Sequence, residues 1–267
     1  MKPLVIHAGF HKTGTSSIQA FFQSNRKALA PHVAVVLKGD MDDLIRACRG
    51  YSKGRSGFDR AKVTLRAEAL FVKLATRPKK ALLLSAEELS GHMPGRPGTD
   101  DYGAAVDILG DLVRGAKTLM PKRAVTICLG TRESEAWIES AYWEHVKSSS
   151  LTSGLEDFRV AFRPASDLDG MVNKILTGAM PDRILRMPLE KAPKDGLAAP
   201  ILDLLDLPFG LRETLKPVAE KNRRDPPEMR EEFLRINRAV TDRAERSRMK
   251  KALRRGEVPI DAETKPD

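Results

Sequence analysis

Hydrophobic and polar positions divide the chain into short apolar runs and longer amphipathic stretches. Continuous apolar runs of this length are typical of strands buried on both faces. We predict strands at residues 4–8, 32–37, 81–85, 124–129 and 183–190. Because these strands alternate with helical stretches, the pattern places the chain in the α/β class.

Helices are predicted where apolar residues recur at helical spacing. They cover residues 15–29, 40–49, 58–76, 102–119, 134–147, 155–162, 168–180, 197–207 and 228–255. In the 58–76 helix we expect Leu65, Ala69 and Val72 to lie on one side. Ser134 is the expected N-cap of the 134–147 helix. Residues 50–57 are expected to be a glycine-rich loop, and residues 256–267 to be disordered.

The first predicted strand leads into a glycine loop and then into a helix. Gly9 and Gly14 bracket this loop. Glycines let backbone N–H groups approach an anion closely, and a helix N-terminus adds unpaired donors and a partial positive charge. Strand, glycine loop and helix together therefore predict a phosphate-binding loop.

This loop differs from the Walker A motif of nucleoside triphosphatases at the position of the phosphate-binding lysine. Gly9 and Gly14 have the expected separation, but Thr15 stands where the lysine that contacts the β- and γ-phosphates should be. The lysine of the loop is Lys12 instead. An ordinary NTPase is therefore disfavoured, whereas a nucleotide with a differently placed anionic group could still use Lys12.

The segment Phe10-His-Lys-Thr-Gly-Thr-Ser-Ser17 resembles the 5′-phosphosulfate loop of the sulfotransferase family. The usual form of that loop is close to Tyr-Pro-Lys-Ser-Gly-Thr-Thr-Trp. The resemblance implies a P-loop-like, three-layer sandwich with a central, mostly parallel sheet flanked by helices. It also implies the sulfate donor 3′-phosphoadenosine-5′-phosphosulfate, the product 3′,5′-ADP, and a hydroxyl or amine acceptor, with carbohydrate as the leading guess. The donor-binding residues implied in the loop are Lys12, which is also catalytic, Thr13, Gly14, Thr15, Ser16 and Ser17.

A second stretch matches the same family. Arg132 follows the 124–129 strand, and Ser140 and Tyr142 lie in the next helix. Sulfotransferases have an arginine and a serine at these positions that bind the 3′-phosphate, often followed by a tyrosine. The alternative is a surface ion pair for Arg132 and a hydrogen bond from Ser140 to its own helix. The late Arg-Lys-Gly segment of cytosolic members is absent, and Arg223 and Arg224 are candidates to replace it.

Glu87 and Glu88 directly follow the 81–85 strand, where open α/β sheets bind ligands. Alternatively, they open a short helix, where carboxylates suit the helix dipole. Some glycan sulfotransferases have a catalytic glutamate near this strand end. That resemblance favours Glu87 as the general base, with Glu88 or His11 as alternatives. No metal-ligand spacing is present in the sequence, so no metal is expected, and Glu190 is expected to be structural.

Composition narrows the choice of ligand. With 46 Lys and Arg against 36 Asp and Glu, the formal charge is +10, which favours an anionic ligand. Three Tyr and two Trp provide few stacking platforms, so nucleic acid is disfavoured. We find neither a signal peptide nor a run near the ~18 apolar residues of a membrane span. A cytoplasmic protein is expected, with Cys48 and Cys128 as reduced, buried thiols.

Composition shifts near residue 216. We predict a sulfotransferase-like domain over residues 1–215 and a basic helical extension over residues 216–267, docked by Phe233, Ile236, Val240 and Leu253. The function predicted is sulfuryl transfer. The alternatives are a P-loop kinase or NTPase, and a non-catalytic protein on this fold that binds an acidic polymer through the basic extension.

Overall fold

The computed structural model describes residues 2–77, 80–217 and 226–257. Its centre is a sheet of five parallel strands in the order β2-β3-β1-β4-β5. The strands are β1 Leu4–His7, β2 Val33–Leu37, β3 Ala81–Ser85, β4 Val125–Thr131 and β5 Arg183–Pro188. Helices cover the sheet, so the predicted α/β sandwich with a central parallel sheet is confirmed.

The helices occupy the stretches between and after the strands. They are α1 Thr15–Ser24, α2 Arg26–Leu29, α3 Asp42–Gly54, α4 Gly57–Ala75, α5 Ala104–Leu119, α6 Ser134–Ser148, α7 Leu155–Phe162, α8 Leu168–Ala179, α9 Ala199–Leu202, α10 Pro227–Ala239 and α11 Arg243–Arg254. None of the described helices is long and apolar enough to cross a lipid bilayer.

Two apolar cores lie on opposite faces of the sheet. Since successive side chains of a strand point to opposite faces, Val5 of β1 packs with α1 and α9, whereas Ile6 packs with helices on the other face, α5 among them. Cys48 and Cys128 are free and buried, one in each core, as predicted.

The direction in which the chain moves across the sheet reverses between the neighbouring strands β1 and β4. After β1 the chain moves to the side of β3 and β2, and after β4 it moves to β5 on the opposite side. Ligands of open α/β sheets bind outside the carboxyl ends of the strands at such a switch point. The loop that follows β1 and Arg132, which follows β4, both lie at this point.

Tertiary packing decided between equally regular patterns at several points. In α4, Leu65 is 60% exposed and Val72 is 57% exposed, and the buried side is formed by Val63, Ala67, Phe71 and Leu74. Phe71 packs against the backbone of Gly115 in α5, which fixes this orientation. The predicted 50–57 loop is wrong up to Gly54, because α3 continues through it. The Tyr51 hydroxyl donates to Asp107 at 2.6 Å and anchors this last turn.

Helix ends also differ from the prediction. Glu133, not Ser134, caps α6 by accepting from the Ala136 N–H at 2.9 Å. The predicted 197–207 helix is confined to α9, and Asp206 has a left-handed φ of 49° that ends the helical path.

The basic extension forms two helices rather than the single one predicted. Val240 is extended, and Asp242 starts α11 by accepting from the Glu245 N–H at 2.7 Å. Helix α10 packs on α6, and the predicted residues Phe233, Ile236 and Leu253 are buried there. The disorder predicted for residues 256–267 falls almost wholly outside the described residues.

Candidate functional site

A cavity of about 1060 Å³ opens at the carboxyl ends of β1, β3 and β4. Most of the site residues predicted from the sequence line it. They are His11, Lys12, Gly14, Thr15, Ser16, Ser17, Glu87, Glu88, Arg132 and Ser140. Thr13 does not line the cavity, because its side chain is buried and its hydroxyl donates to the Phe10 carbonyl at 2.6 Å. Thr13 therefore shapes the loop from within.

The glycine loop presents its backbone to the cavity because both ends are held from outside. Gly14 precedes α1 with a left-handed φ of 88°, and no side chain caps this helix terminus. The Trp137 indole N–H donates to the His11 carbonyl at 3.0 Å, and the Arg132 guanidinium donates to the Lys12 carbonyl at 3.1 Å. An uncapped helix terminus at a cavity has unpaired N–H donors that can bind an anion.

Two glycines of this loop combine a positive φ, which L side chains rarely adopt, with a close neighbour. A Cβ on Gly14 would lie 2.7 Å from Leu197 Cδ1. A Cβ on Gly9 would lie 3.1 Å from both Cα and Cβ of Glu87, and φ of Gly9 is +99°. Gly9 therefore allows the loop after β1 to contact the segment that carries Glu87.

Lys12 is held at the cavity by a residue that the sequence analysis missed. Its ammonium lies 3.1 Å from Oε2 of Glu144, and the two side chains are 28% and 25% exposed. Lys147 also lies 3.4 Å from the same oxygen. Burial raises the pKa of Glu144, but the charges of Lys12 and Lys147 outweigh burial and bring the pKa below its usual value. Glu144 is therefore an anion at pH 7.

A sequence signal for Glu144 was available. It lies four residues after Ser140 in α6, and residues at this spacing share one helical face. Ser140 lines the cavity, and among the described residues its hydroxyl has no hydrogen-bond partner. The alternative in which Ser140 bonds to its own helix is therefore not realised. Tyr142, in contrast, is buried and its hydroxyl donates to the Ser153 carbonyl at 3.1 Å.

The basic extension supplies Arg230 to the same cavity, which no local pattern predicted. Its guanidinium lies 4.6 Å from the centre of the Trp143 ring and 3.7 Å from Glu139. Its Nε is buried and has no hydrogen-bond partner in the described part of the chain. Arg223 and Arg224, the predicted substitutes, lie outside the described residues.

The two adjacent glutamates have different surroundings. Glu88 is 2% exposed and is ion-paired with both Lys38 and Arg49. Burial raises the pKa of Glu88. Lys38, together with His11 and Arg49, lowers this pKa by a larger amount, so the net pKa is below the usual value. Glu87 is only partly buried, lines the cavity and accepts a hydrogen bond from Gln19. Glu87 is therefore the more accessible base.

The alternative in which the glutamates open a short helix is also realised. Glu87–Ser90 forms a 3₁₀ turn, and both glutamates lie in its first turn. The two interpretations do not conflict, because the turn holds Glu87 at the cavity. Glu190 accepts from the Glu133 N–H at 3.0 Å, which is a structural contact.

His11 lies beside both glutamates. Burial lowers its pKa to about 3, so the ring is neutral at pH 7, and Nδ1 lies 3.2 Å from the Tyr102 hydroxyl. Ligand atoms of His11, Glu87 and Glu88 lie within 4.8 Å of one another, a convergence that spacing in the sequence did not predict. Because Glu88 is already paired with two cations, the arrangement favours proton transfer over the binding of a metal ion.

Comparison with known proteins found no protein-family model that matches the chain and no curated protein with significant sequence similarity. The function of the site is therefore inferred from its own geometry.

Proposed function

We propose that this protein transfers a sulfuryl group from 3′-phosphoadenosine-5′-phosphosulfate to a hydroxyl or amine of an acceptor. The observation that carries the proposal is the convergence on one cavity of Lys12 with its loop, Glu87, and the pair Arg132 and Ser140. A cation at a helix terminus suits the 5′-phosphosulfate. A separate arginine with a free serine hydroxyl suits a second phosphate.

The residues present fit such a nucleotide. The α1 terminus has no capping side chain, Ser140 has no hydrogen-bond partner among the described residues, and Nε of Arg230 is buried without a partner. The α1 terminus and the Ser140 hydroxyl would each gain a hydrogen bond when an anion binds, and the guanidinium of Arg230 adds positive charge at the cavity. Lys12 would bind the 5′ end of the nucleotide, whereas Arg132 and Ser140 would bind its 3′-phosphate.

When bound, the donor would supply an electrophilic sulfur. A bond would form between this sulfur and the acceptor oxygen or nitrogen, while the bond between sulfur and the bridging phosphate oxygen breaks. Lys12 and the N–H groups at the start of α1 stabilise the negative charge that develops on the departing phosphate oxygen. Glu87 takes the proton of the acceptor. Arg132 holds both the Lys12 carbonyl and the site of the second phosphate, which aligns the nucleotide with Lys12.

The alternative as a P-loop kinase or NTPase has less support. Thr15 stands at the Walker lysine position, and its side chain is 4% exposed in the first turn of α1. A triphosphate would therefore have to rely on Lys12, which stands at a different position of the loop from the Walker lysine.

Calorimetric titration of wild type and the double variant Arg132→Ala, Ser140→Ala tests the proposed 3′-phosphate site. We expect the double variant to lose roughly 100-fold in affinity for 3′,5′-ADP. This corresponds to the loss of one hydrogen bond from Arg132 and one from Ser140, each of about 1–2 kcal/mol. Binding of 5′-AMP should fall by much less, through loss of the contact between Arg132 and the Lys12 carbonyl alone. Equal losses for both nucleotides would remove these residues from the 3′-phosphate site.

Lys12→Ala tests the catalytic half of the proposal. Sulfuryl transfer should fall by about 10²–10³-fold, the cost typical of removing one preorganised oxyanion donor. Lys27→Ala, a surface change outside the cavity, is the matched control and should leave transfer unchanged. Near-normal turnover of the Lys12 variant would contradict the assigned role.

A further inference from the structure

One arginine of the cavity is not used by the proposed nucleotide site. Arg96 lies in the loop between β3 and α5 and lines the cavity. Its Nη2 donates to the Ser148 hydroxyl at 2.6 Å. Within residues 2–77, 80–217 and 226–257, no carboxylate lies within ion-pair distance of this guanidinium. Lys12, Arg49 and Lys147, in contrast, all have a glutamate partner.

The surroundings of Arg96 are partly buried and contain charges of both signs. Burial lowers the pKa of the Arg96 guanidinium, Glu144 opposes this, and the charge of Arg49 lowers it further. Burial also lowers the pKa of His92 to about 4, with added contributions from the charges of Arg49, Arg96 and Lys53. His92 is therefore neutral at pH 7 and does not add charge. The cations near His92 are Arg49, Arg96 and Lys53, and the carboxylates of Glu88 and Glu144 oppose them.

Arg49 also lines this part of the cavity. One guanidinium nitrogen pairs with Glu88, but Nε of Arg49 is buried and has no hydrogen-bond partner among the described residues. Oε2 of Glu88 is likewise buried without a partner. Arg96 has the charge of Glu144 near it but no carboxylate of the described residues within ion-pair distance, so a ligand carboxylate or sulfate ester would give it a direct partner.

We propose that the acceptor of this enzyme is itself an anion, and that Arg96 binds its carboxylate or sulfate group while Glu87 faces the hydroxyl or amine that receives the sulfuryl group. This inference rests on the proposed sulfuryl transfer. Arg96 is a specificity-determining residue in this account. It contributes to the choice of acceptor and not to the affinity for the nucleotide.

Matched polysaccharides test the inference. Transfer of radiolabelled sulfate from the donor is measured with hyaluronan, which carries carboxylates, and with its carboxyl-reduced derivative, which keeps the hydroxyls. A second pair, sparsely sulfated dextran and dextran, tests a sulfate ester as the anionic group. We expect at least a tenfold preference for the anionic member of one pair, and the pair that shows it identifies the anionic group.

The variant Arg96→Gln should abolish that preference through an increase in KM for the anionic acceptor, with 3′,5′-ADP affinity unchanged. Arg46→Gln, an exposed change on α3 outside the cavity, is the control and should retain the preference. The inference is overturned by equal transfer within both pairs, by a preference that persists in Arg96→Gln, or by 3′,5′-ADP binding with no transfer to any of the four polymers. Failure to bind 3′,5′-ADP at all would instead reject the proposed function.

Discussion

The carboxylate of Glu144 lies beside Lys12, the cation that binds the anionic nucleotide in the proposed function. The ammonium of Lys12 lies 3.1 Å from the Glu144 carboxylate. An anion bound to another hydrogen of the same ammonium at about 2.8 Å would therefore lie about 5 Å from Glu144. The change Glu144→Gln removes this repulsion but keeps the size of the side chain and an oxygen that accepts from Lys12. We therefore expect it to tighten nucleotide binding.

The size of the effect follows from the distance and the exposure. Two unit charges about 5 Å apart repel by about 3 kcal/mol at an effective dielectric constant of about 20. Lys12 and Glu144 are 28% and 25% exposed, and solvent and salt screening reduce the repulsion to about 1–1.5 kcal/mol. This corresponds to roughly tenfold tighter binding at low ionic strength. Because Lys12 is assigned to the 5′ end, 5′-AMP and 3′,5′-ADP should gain equally.

Calorimetry at about 20 mM and about 300 mM salt measures this prediction, since screening should shrink the gain at the higher concentration. Glu135→Gln is the matched control, because Glu135 lies on the same helix but pairs with Arg159 and Arg163 outside the cavity. Unchanged or weaker nucleotide binding by Glu144→Gln at low salt would refute the reasoning. It would show that Glu144 acts by holding Lys12 in position.

Three further predictions address the loop, the base and the buried histidines. Gly14→Ala places a Cβ 2.7 Å from Leu197 at a φ of +88° and should cost about 1–3 kcal/mol of stability with loss of nucleotide binding; a native-like Tm and affinity by calorimetry would contradict this. Glu87→Gln should lower kcat by about 10²–10⁴-fold and leave 3′,5′-ADP affinity intact, and unchanged kcat would exclude Glu87 as the base. Burial lowers the pKa from 6.5 to about 4 for His7 and to about 3 for His11 in the folded protein. Below pH 6.5 the unfolded chain therefore binds more protons than the folded protein does. The free energy of unfolding should fall as the pH drops from about 6.5 towards 4. Thermal unfolding across this range checks the sign, and a Tm that stays level or rises on acidification would contradict it.

The strand framework could be predicted because the strands are short apolar runs with clear boundaries. All five fall where the sequence placed them to within about two residues. Strands β1 to β4 are buried, whereas the edge strand β5 is exposed or half-buried along its length. The loop after β1 was equally readable, since Gly9 and Gly14 both adopt positive φ values that glycine tolerates.

The buried face of α4 could not be predicted from periodicity. Leu65 and Val72 have helical spacing, and so do Val63, Ala67 and Phe71, so only the packing partner decides which face is buried. The break between α10 and α11 has the same origin, because Asp242 becomes an N-cap only once the helix has ended at Ala239.

The site was predictable where its residues follow strand ends and hidden where they come from distant helices. Lys12, Glu87 and Arg132 each follow a strand of the same sheet, so the topology brings them together. Arg230 reaches the cavity only because α10 packs on α6, and no local pattern encodes that contact. The hydroxyl of Thr13, a residue assigned to the donor by resemblance, bonds to the Phe10 carbonyl, so the assignment concerns its backbone N–H.

Titration of the wild-type protein with 3′,5′-ADP, with 5′-AMP and Mg-ATP as comparisons, tests the central claim most directly. The account predicts that 3′,5′-ADP binds at least tenfold more tightly than 5′-AMP, because only 3′,5′-ADP carries the phosphate assigned to Arg132 and Ser140. It predicts no advantage for Mg-ATP. A preference for Mg-ATP would support a kinase or NTPase, and binding of none of the three would contradict the assignment of this cavity to a nucleotide.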